Sequence, residues 1–200
     1  MNPNSYNSIA HAWSAARTTF FGREREYVDT VLSAAPVGSM ILDMGCGTGR
    51  PLAEYIVSQG RHVLGVDQSE AMLEIARRQL PHEKWVLSPM EEYEPESGCQ
   101  GVLIWDALFH VRRTEHEPIV RKVVRVLPSG GRLMLTVGGS AHAEFTDYMY
   151  GHEFYYDSNT PGETEQFLQQ LSCRILSAEY MNLPDGIRDK GRYAIVAEKA

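Results

Sequence analysis

Three carboxylates carry the chemical promise of this sequence, because Asp43, Asp67 and Asp106 each close an apolar run. Asp43 ends Met40-Ile41-Leu42 and is followed by glycines at alternate positions, Gly45, Gly47 and Gly49. Glycine lacks a Cβ, so it adopts positive φ and lets backbone come close to a ligand. An apolar strand, a glycine bend and a helix start, here with Pro51 in its first turn, make a cradle of nucleotide size. Asp67 ends the next run, His62-Val63-Leu64-Gly65-Val66. A carboxylate at the tip of a neighbouring strand suits a pair of ribose hydroxyls, and the plainer alternative is an acid capping the helix that follows. Asp106 closes the run that begins at Val102, and His110 follows it. Histidine exchanges a proton near neutral pH. The pair therefore suits proton transfer or placement of an amine or hydroxyl, with packing as the competing reading for His110.

Positioning three acids on one rim requires an ordered set of strands. Apolar runs predict strands over 40–43, 62–67, 84–87, 102–106, 132–137, 175–181 and 193–198. Helical periodicity covers most of 7–34, broken at Gly22, then 52–59, ended by Gly60, and a segment capped by Ser69 that runs to Gln79. A further helix over 114–127 opens either with a Thr114–Glu117 capping box or at Glu117 with Pro118 in its first position. The last helix covers 163–171. Strands alternating with helices through short turns predict a doubly wound α/β fold, a mostly parallel sheet with helices on both faces. The last two strands are joined through Pro184-Asp185-Gly186 without a helix, so they pair antiparallel at one edge. Ligands in such sheets bind at the carboxyl ends of the strands, where all three acids fall.

Composition narrows the function classes. The 200 residues are 43% hydrophobic and 22% charged, ordinary for one globular domain. No apolar run approaches the ~20 residues of a membrane span, and the opening Met1-Asn2-Pro3-Asn4-Ser5 does not read as a secretory signal. The formal net charge of −7 argues against a broad nucleic-acid surface. Cys46, Cys99 and Cys173 stand far apart, forming neither a disulfide framework nor a metal site, so a cytoplasmic, metal-free protein is expected.

The run Ile41-Leu42-Asp43-Met44-Gly45-Cys46-Gly47-Thr48-Gly49, followed by Gly65-Val66-Asp67-Gln68-Ser69-Glu70-Ala71-Met72-Leu73, resembles the class I S-adenosylmethionine-dependent methyltransferases. Trp105-Asp106-Ala107-Leu108-Phe109-His110 and Leu127-Pro128-Ser129-Gly130-Gly131-Arg132-Leu133 extend the likeness over about 38–140. The resemblance implies a Rossmann-like sheet of seven strands with an antiparallel edge pair. It also implies S-adenosylmethionine as cofactor, with S-adenosylhomocysteine as product. Asp43 and the glycine loop, with Cys46 as a small loop residue rather than a nucleophile, then hold the methionine part. Asp67 takes the ribose hydroxyls, Gln68 and Met72 lie by ribose and adenine, and Trp105 belongs to the same wall. Where the family carries an adenine-binding acid this chain has Pro89, so adenine falls to Pro89, Met90 and Glu91. Residues 1–36 resemble lid helices, in which Tyr6 or Arg17 meets the cofactor's carboxylate; an ordinary amphipathic helix with an exposed arginine is the alternative. The core spans 37–140, and an acceptor-side insert rich in His and Tyr spans 141–162. Residues 163–200 add the last helix and strand pair. Within the insert, His142 and Tyr155 are the substrate-contact candidates.

The implied reaction is methyl transfer to oxygen or nitrogen of a small-molecule acceptor, with Asp106 and His110 facing the methyl group. A nicotinamide oxidoreductase is the first rival, but its Gly-x-Gly-x-x-Gly spacing is missing. A non-catalytic cofactor-binding module and a methyltransferase for RNA or protein are the others.

Overall fold

The structure is a computed structural model that describes residues 2–200. Strands β1 (Met40–Met44) and β2 (His62–Asp67) are largely apolar because a parallel sheet covered on both faces exposes neither. They pair in parallel, with Asp43 opposite Gly65 and Met44 opposite Val66. β3 (Lys84–Leu87) joins β2, while β4 (Cys99–Ile104) and β5 (Arg132–Gly138) extend the other side in parallel. β8 (Cys173–Asn182) and β9 (Arg192–Lys199) close that edge antiparallel, and the seven strands run in the order 3-2-1-4-5-9-8. The doubly wound sheet with its antiparallel edge pair is the one the alternation of elements predicts.

Six helices flank the sheet: α1 (Pro3–Ala16), α2 (Glu24–Leu32), α3 (Leu52–Ser58), α4 (Glu70–Gln79), α5 (Arg113–Val126) and α6 (Pro161–Gln170). One apolar layer packs α5 and α6 against one sheet face, through residues such as Val120, Val123 and Leu168. A second packs α2 and α3 on the other, through Val28, Val31, Ala53 and Ile56. A third, smaller layer lies under α1, where Ile9 and Ala10 meet Met72 and Ile75 of α4 and Phe154.

Four local expectations need correction. The first helical stretch starts earlier, at Pro3, and breaks across residues 17–23 rather than at Gly22 alone. β4 stops at Ile104, and Asp106 lies beyond it in the left-handed region, at φ 49°. α5 begins at Arg113, with Pro118 inside it and no capping box at Thr114. Asp157 supplies its start instead, accepting the Arg113 backbone N–H at 2.8 Å from 44 residues away. The capping box of this chain sits at Thr160 and Glu163, opening α6. Finally, the aromatic insert, over which no strand is predicted, contains a two-stranded hairpin, β6 (Phe145–Met149) and β7 (His152–Tyr156). Among the described residues no helix is long and apolar enough to cross a membrane.

Candidate functional site

A cavity opens at the carboxyl ends of β1, β2 and β4, roofed by α1. The chain bends after β1 because the Gly45 and Cys46 N–H groups both donate to the Val66 carbonyl, at 2.8 and 3.1 Å. Gly45 has φ 81°, and a Cβ there would lie 2.3 Å from the Cβ of Ala107, so only glycine brings the β1 bend against the β4 loop. Gly47 has φ 54°, and a Cβ there would come into ordinary contact with the Trp13 indole nitrogen, at 3.8 Å. Asp67 is anchored by the Gly47 and Ser69 N–H groups, each at 2.8 Å, one on each carboxylate oxygen. Ser69 then caps α4, its hydroxyl accepting from the Met72 N–H. Asp67 thus ends β2, and the cap of α4 is Ser69 rather than Asp67 itself.

Asp43 is only 4% exposed, yet no described residue donates a hydrogen bond to its carboxylate. Burial, with the Asp67 charge nearby, pushes its pKa up to about 7. The carboxylate borders the cavity rather than being sealed in the core, so a ligand there can supply its donor. Asp67 is likewise raised by burial, against the pull of its backbone donors.

The structure brings together Tyr6, Arg17, Asp43, Gly45, Cys46, Gly47, Gly49, Asp67, Gln68, Met72, Met90, Glu91, Trp105, Asp106 and His110 on this one cavity. Pro89 does not line it, although Ser88 and Met90 on either side do. His142 lines a separate neighbouring cavity. Tyr155 lines neither, because its hydroxyl is turned to Glu144, at 2.5 Å, and Asp157. The structure therefore does not bring Tyr155 together with the cofactor-side candidates on one cavity. What Tyr155 contributes is backbone: its N–H donates to the Asn2 side-chain oxygen at 2.9 Å, and its carbonyl accepts from the Asn2 amide at 3.1 Å.

His110 is also recast. It is buried, which pushes its pKa down to about 4, and both ring nitrogens are engaged by protein. Nε2 lies 2.8 Å from the Tyr6 hydroxyl, and Nδ1 lies 2.9 Å from the Asn2 amide nitrogen and 3.0 Å from the Tyr155 carbonyl. In either ring tautomer His110 is bonded to the Tyr6 hydroxyl through Nε2 and to the Asn2–Tyr155 pair through Nδ1. His110 is thus a weak base held in place, and it holds Tyr6.

Asp106 is not a free carboxylate. Arg192 grips it with a two-pronged bond, Nε to Oδ1 at 3.1 Å and Nη2 to Oδ2 at 2.6 Å, and Thr136 anchors its N–H at 2.7 Å. Behind it, fully buried Glu24 accepts from Arg17 at 2.7 Å and from the Trp105 indole N–H at 3.0 Å. Arg17 is therefore buried rather than exposed, and one edge of its guanidinium is committed to Glu24. Asn2, Glu24 and Arg192 were invisible in the sequence, since each meets the site across scores of residues and no local pattern marks them. Trp13, Arg50, Leu52, Val66, Ser88, Ala107 and Val111 also line the cavity and were not singled out as site residues from the sequence.

A family described as "Methyltransferase domain" matches residues 41–131, the stretch holding both strand-tip acids and the glycine bend. That match falls on the residues that carry the resemblance to the class I S-adenosylmethionine-dependent methyltransferases. Among curated members of this superfamily it is similar to a tRNA (carboxymethyluridine(34)-5-O)-methyltransferase of Macaca fascicularis. The two are 25% identical over 92% of this chain and 26% of that protein. It is also similar to a trans-aconitate 2-methyltransferase of Paracidovorax citrulli, 29% identical over 62% of this chain and 50% of that one. The chain thus spans about a quarter and about half of these methyltransferases. A crystal structure of an S-adenosylmethionine-dependent methyltransferase from Clostridium acetobutylicum shares the fold, with a TM-score of 0.74 at 13% identity, covering 98% of this chain and 100% of that one. The residues present fit the methyltransferase cofactor. Asp43, with no donor among the described residues, suits a cationic amine, Gly47 has no side chain to hold a ligand off the loop, and Asp67 lines the same cavity while anchored by backbone N–H groups.

Proposed function

We propose that this chain transfers the methyl group of S-adenosylmethionine to an oxygen or nitrogen of a small molecule. The observation that carries the reading is the buried Asp43 carboxylate without a donor, on the same cavity wall as the backbone-anchored Asp67. In this reading Asp43 accepts from the cofactor's amino group and Asp67 from its ribose hydroxyls, while Met72, Met90 and Glu91 lie by the adenine. Residues 1–36 act as a lid, 37–140 as the cofactor core and 141–162 as an acceptor-side insert.

When bound, the cofactor supplies a methyl group already activated by its positive sulfur. The chain then has mainly to align the acceptor, and alignment contributes roughly 7–11 kcal/mol at best. Tyr6, held by His110, and Asp106, held by Arg192, are rigid polar groups beside the path of transfer. Neither His110 nor Asp106 stands free as a strong base, which favours an acceptor that attacks without one or arrives deprotonated. The net charge of −7 and the aromatic hairpin support a small acceptor over RNA.

Calorimetric titration with S-adenosylhomocysteine and with NAD tests the reading. We expect binding of the first alone, weakened roughly 1–3 kcal/mol by Asp67→Ala, which leaves ribose hydroxyls unpaired. NAD binding without S-adenosylhomocysteine binding refutes the cofactor assignment. Methylation of an RNA pool in preference to small acids, amines and phenols refutes the acceptor class.

A further inference from the structure

Beside the cofactor cavity, beyond the Asp106–Arg192 pair, lies a second cavity of about 430 Å³ between the hairpin and the segment leading into β9. One wall is a run of stacked rings. Phe145 and Tyr156 lie 5.2 Å apart at 14°, and Phe109 continues the stack 6.1 Å from Tyr156 at 27°. Such a wall takes a flat molecule lying against it.

The charges around it are numerous, and most are already answered. Asp147 is held by the fork of Arg188, at 2.6 and 2.8 Å, and Asp157 by Arg113 at 2.6 Å. Asp185 accepts the backbone N–H groups of Ile187 and Asp189. Asp189 accepts from the Asn182 amide and the Gly191 N–H. Two cations differ. Lys190 has its ammonium 5.8 Å from the centre of the Phe145 ring, donates only to the Ile187 carbonyl at 3.1 Å, and forms no ion pair among the described residues. Arg192 spends Nε and Nη2 on Asp106, and its Nη1 has no hydrogen-bond partner among the described residues. Both line this cavity, and Arg192 is also the link to the cofactor side through Asp106.

We propose that the methyl acceptor is a planar molecule carrying a carboxylate, its flat part on the Phe145–Tyr156 wall and its carboxylate between Lys190 and the free edge of Arg192. This deepens the methyltransferase reading and rests on it. An anion there meets the Lys190 ammonium and the outer nitrogen of Arg192, whose other nitrogens face Asp106 and Glu24, whereas an amine would meet carboxylates that are mostly engaged, Asp185 Oδ2 being the oxygen without a hydrogen bond among the described residues. Arginine's planar fork and the mobile lysine together read a carboxylate from two sides.

The test uses the full chain loaded with S-adenosylhomocysteine and three flat probes of one shape: trans-cinnamate, its neutral amide and cinnamylamine. Binding is followed by calorimetry. Cinnamate should bind roughly tenfold tighter than the amide, as expected for a charge-assisted pair. Lys190→Met should erase that preference, and Lys190→Arg should keep it, with S-adenosylhomocysteine affinity unchanged in both. Equal binding of acid and amide, no binding of either, or tightest binding of the amine overturns the proposal. Failure of S-adenosylhomocysteine to bind at all sinks the methyltransferase reading itself, so the two failures are told apart.

Discussion

At Gly45 a single missing methyl group decides whether the cradle exists. The residue sits at φ 81°, and an added Cβ would fall 2.3 Å from that of Ala107. Gly45→Ala should therefore cost roughly 2–4 kcal/mol, combining left-handed backbone strain with overpacking. Urea unfolding checks this, and an unchanged midpoint would mean that the β4 loop can retreat freely. Asp43 supports a second prediction. Its pKa is pushed up to about 7, so near neutral pH the carboxyl is partly protonated. An ammonium group docking against it lowers that value and expels the proton. Titrating S-adenosylhomocysteine at pH 7 in buffers of different ionisation enthalpy should report release of about half a proton. Asp43→Asn should abolish the release, and a heat independent of buffer would remove Asp43 from the amine's reach.

Among the elements, α1 has the most to do with access. It covers the cavity through Tyr6 and Trp13 and is tied down at both sides. The Asn7 side-chain oxygen accepts from the Ser69 hydroxyl at 2.7 Å and the Ala71 N–H at 3.1 Å, at the start of α4. The Asn2 amide bridges His110 and the β7 backbone. In the proposed lid role of residues 1–36, entry of a cofactor loosens these ties. Asn7→Ala removes two hydrogen bonds worth about 1 kcal/mol each. It should speed amide exchange across 3–16 and raise the S-adenosylhomocysteine dissociation rate, while exchange in β1, β4 and β5 stays slow. Equal acceleration in the central strands would show that α1 belongs to the global fold rather than opening alone. The start of α5 makes a similar point about elements. Its cap is Asp157, brought over by the hairpin, so the helix begins where tertiary structure sets it and not where Thr114 and Glu117 suggested.

For the molecule as a whole, buried histidines tie stability to pH. His116 on α5 is fully buried, and burial lowers its pKa from 6.5 to about 4. Its folded value lies below its unfolded one, so its contribution is complete above about pH 6.5. That contribution is lost as pH falls towards 4, where the unfolded chain binds the extra proton. His110 acts in the same sense, and Asp43, with its raised value, in the opposite one. The difference in unfolding free energy between the native chain and His116→Gln should shrink by roughly 3 kcal/mol between pH 7 and pH 4. A constant difference would show that His116 titrates normally in the folded state.

What could be read along the chain was whatever depends on neighbours in sequence. The parallel sheet, its antiparallel edge pair, the glycine bend and the acids at the tips of β1 and β2 all follow from short apolar runs and the residues that end them. Burial of such runs leaves few other arrangements. Asp43 and Asp67 converge because their strands are adjacent in parallel register, which the alternation of elements already requires. The partners of those groups are another matter. Arg192 reaches Asp106 across 86 residues, Glu24 reaches Trp105 across 81, and Asn2 reaches His110 across 108. No periodicity marks them, since side-chain pairing at that distance is fixed only when helices and hairpin dock on the sheet. That docking turned His110 from a free base into a support for Tyr6 and Asp106 into half of an ion pair. It also placed Lys190, which forms no ion pair among the described residues, and the outer nitrogen of Arg192 on the wall of the second cavity.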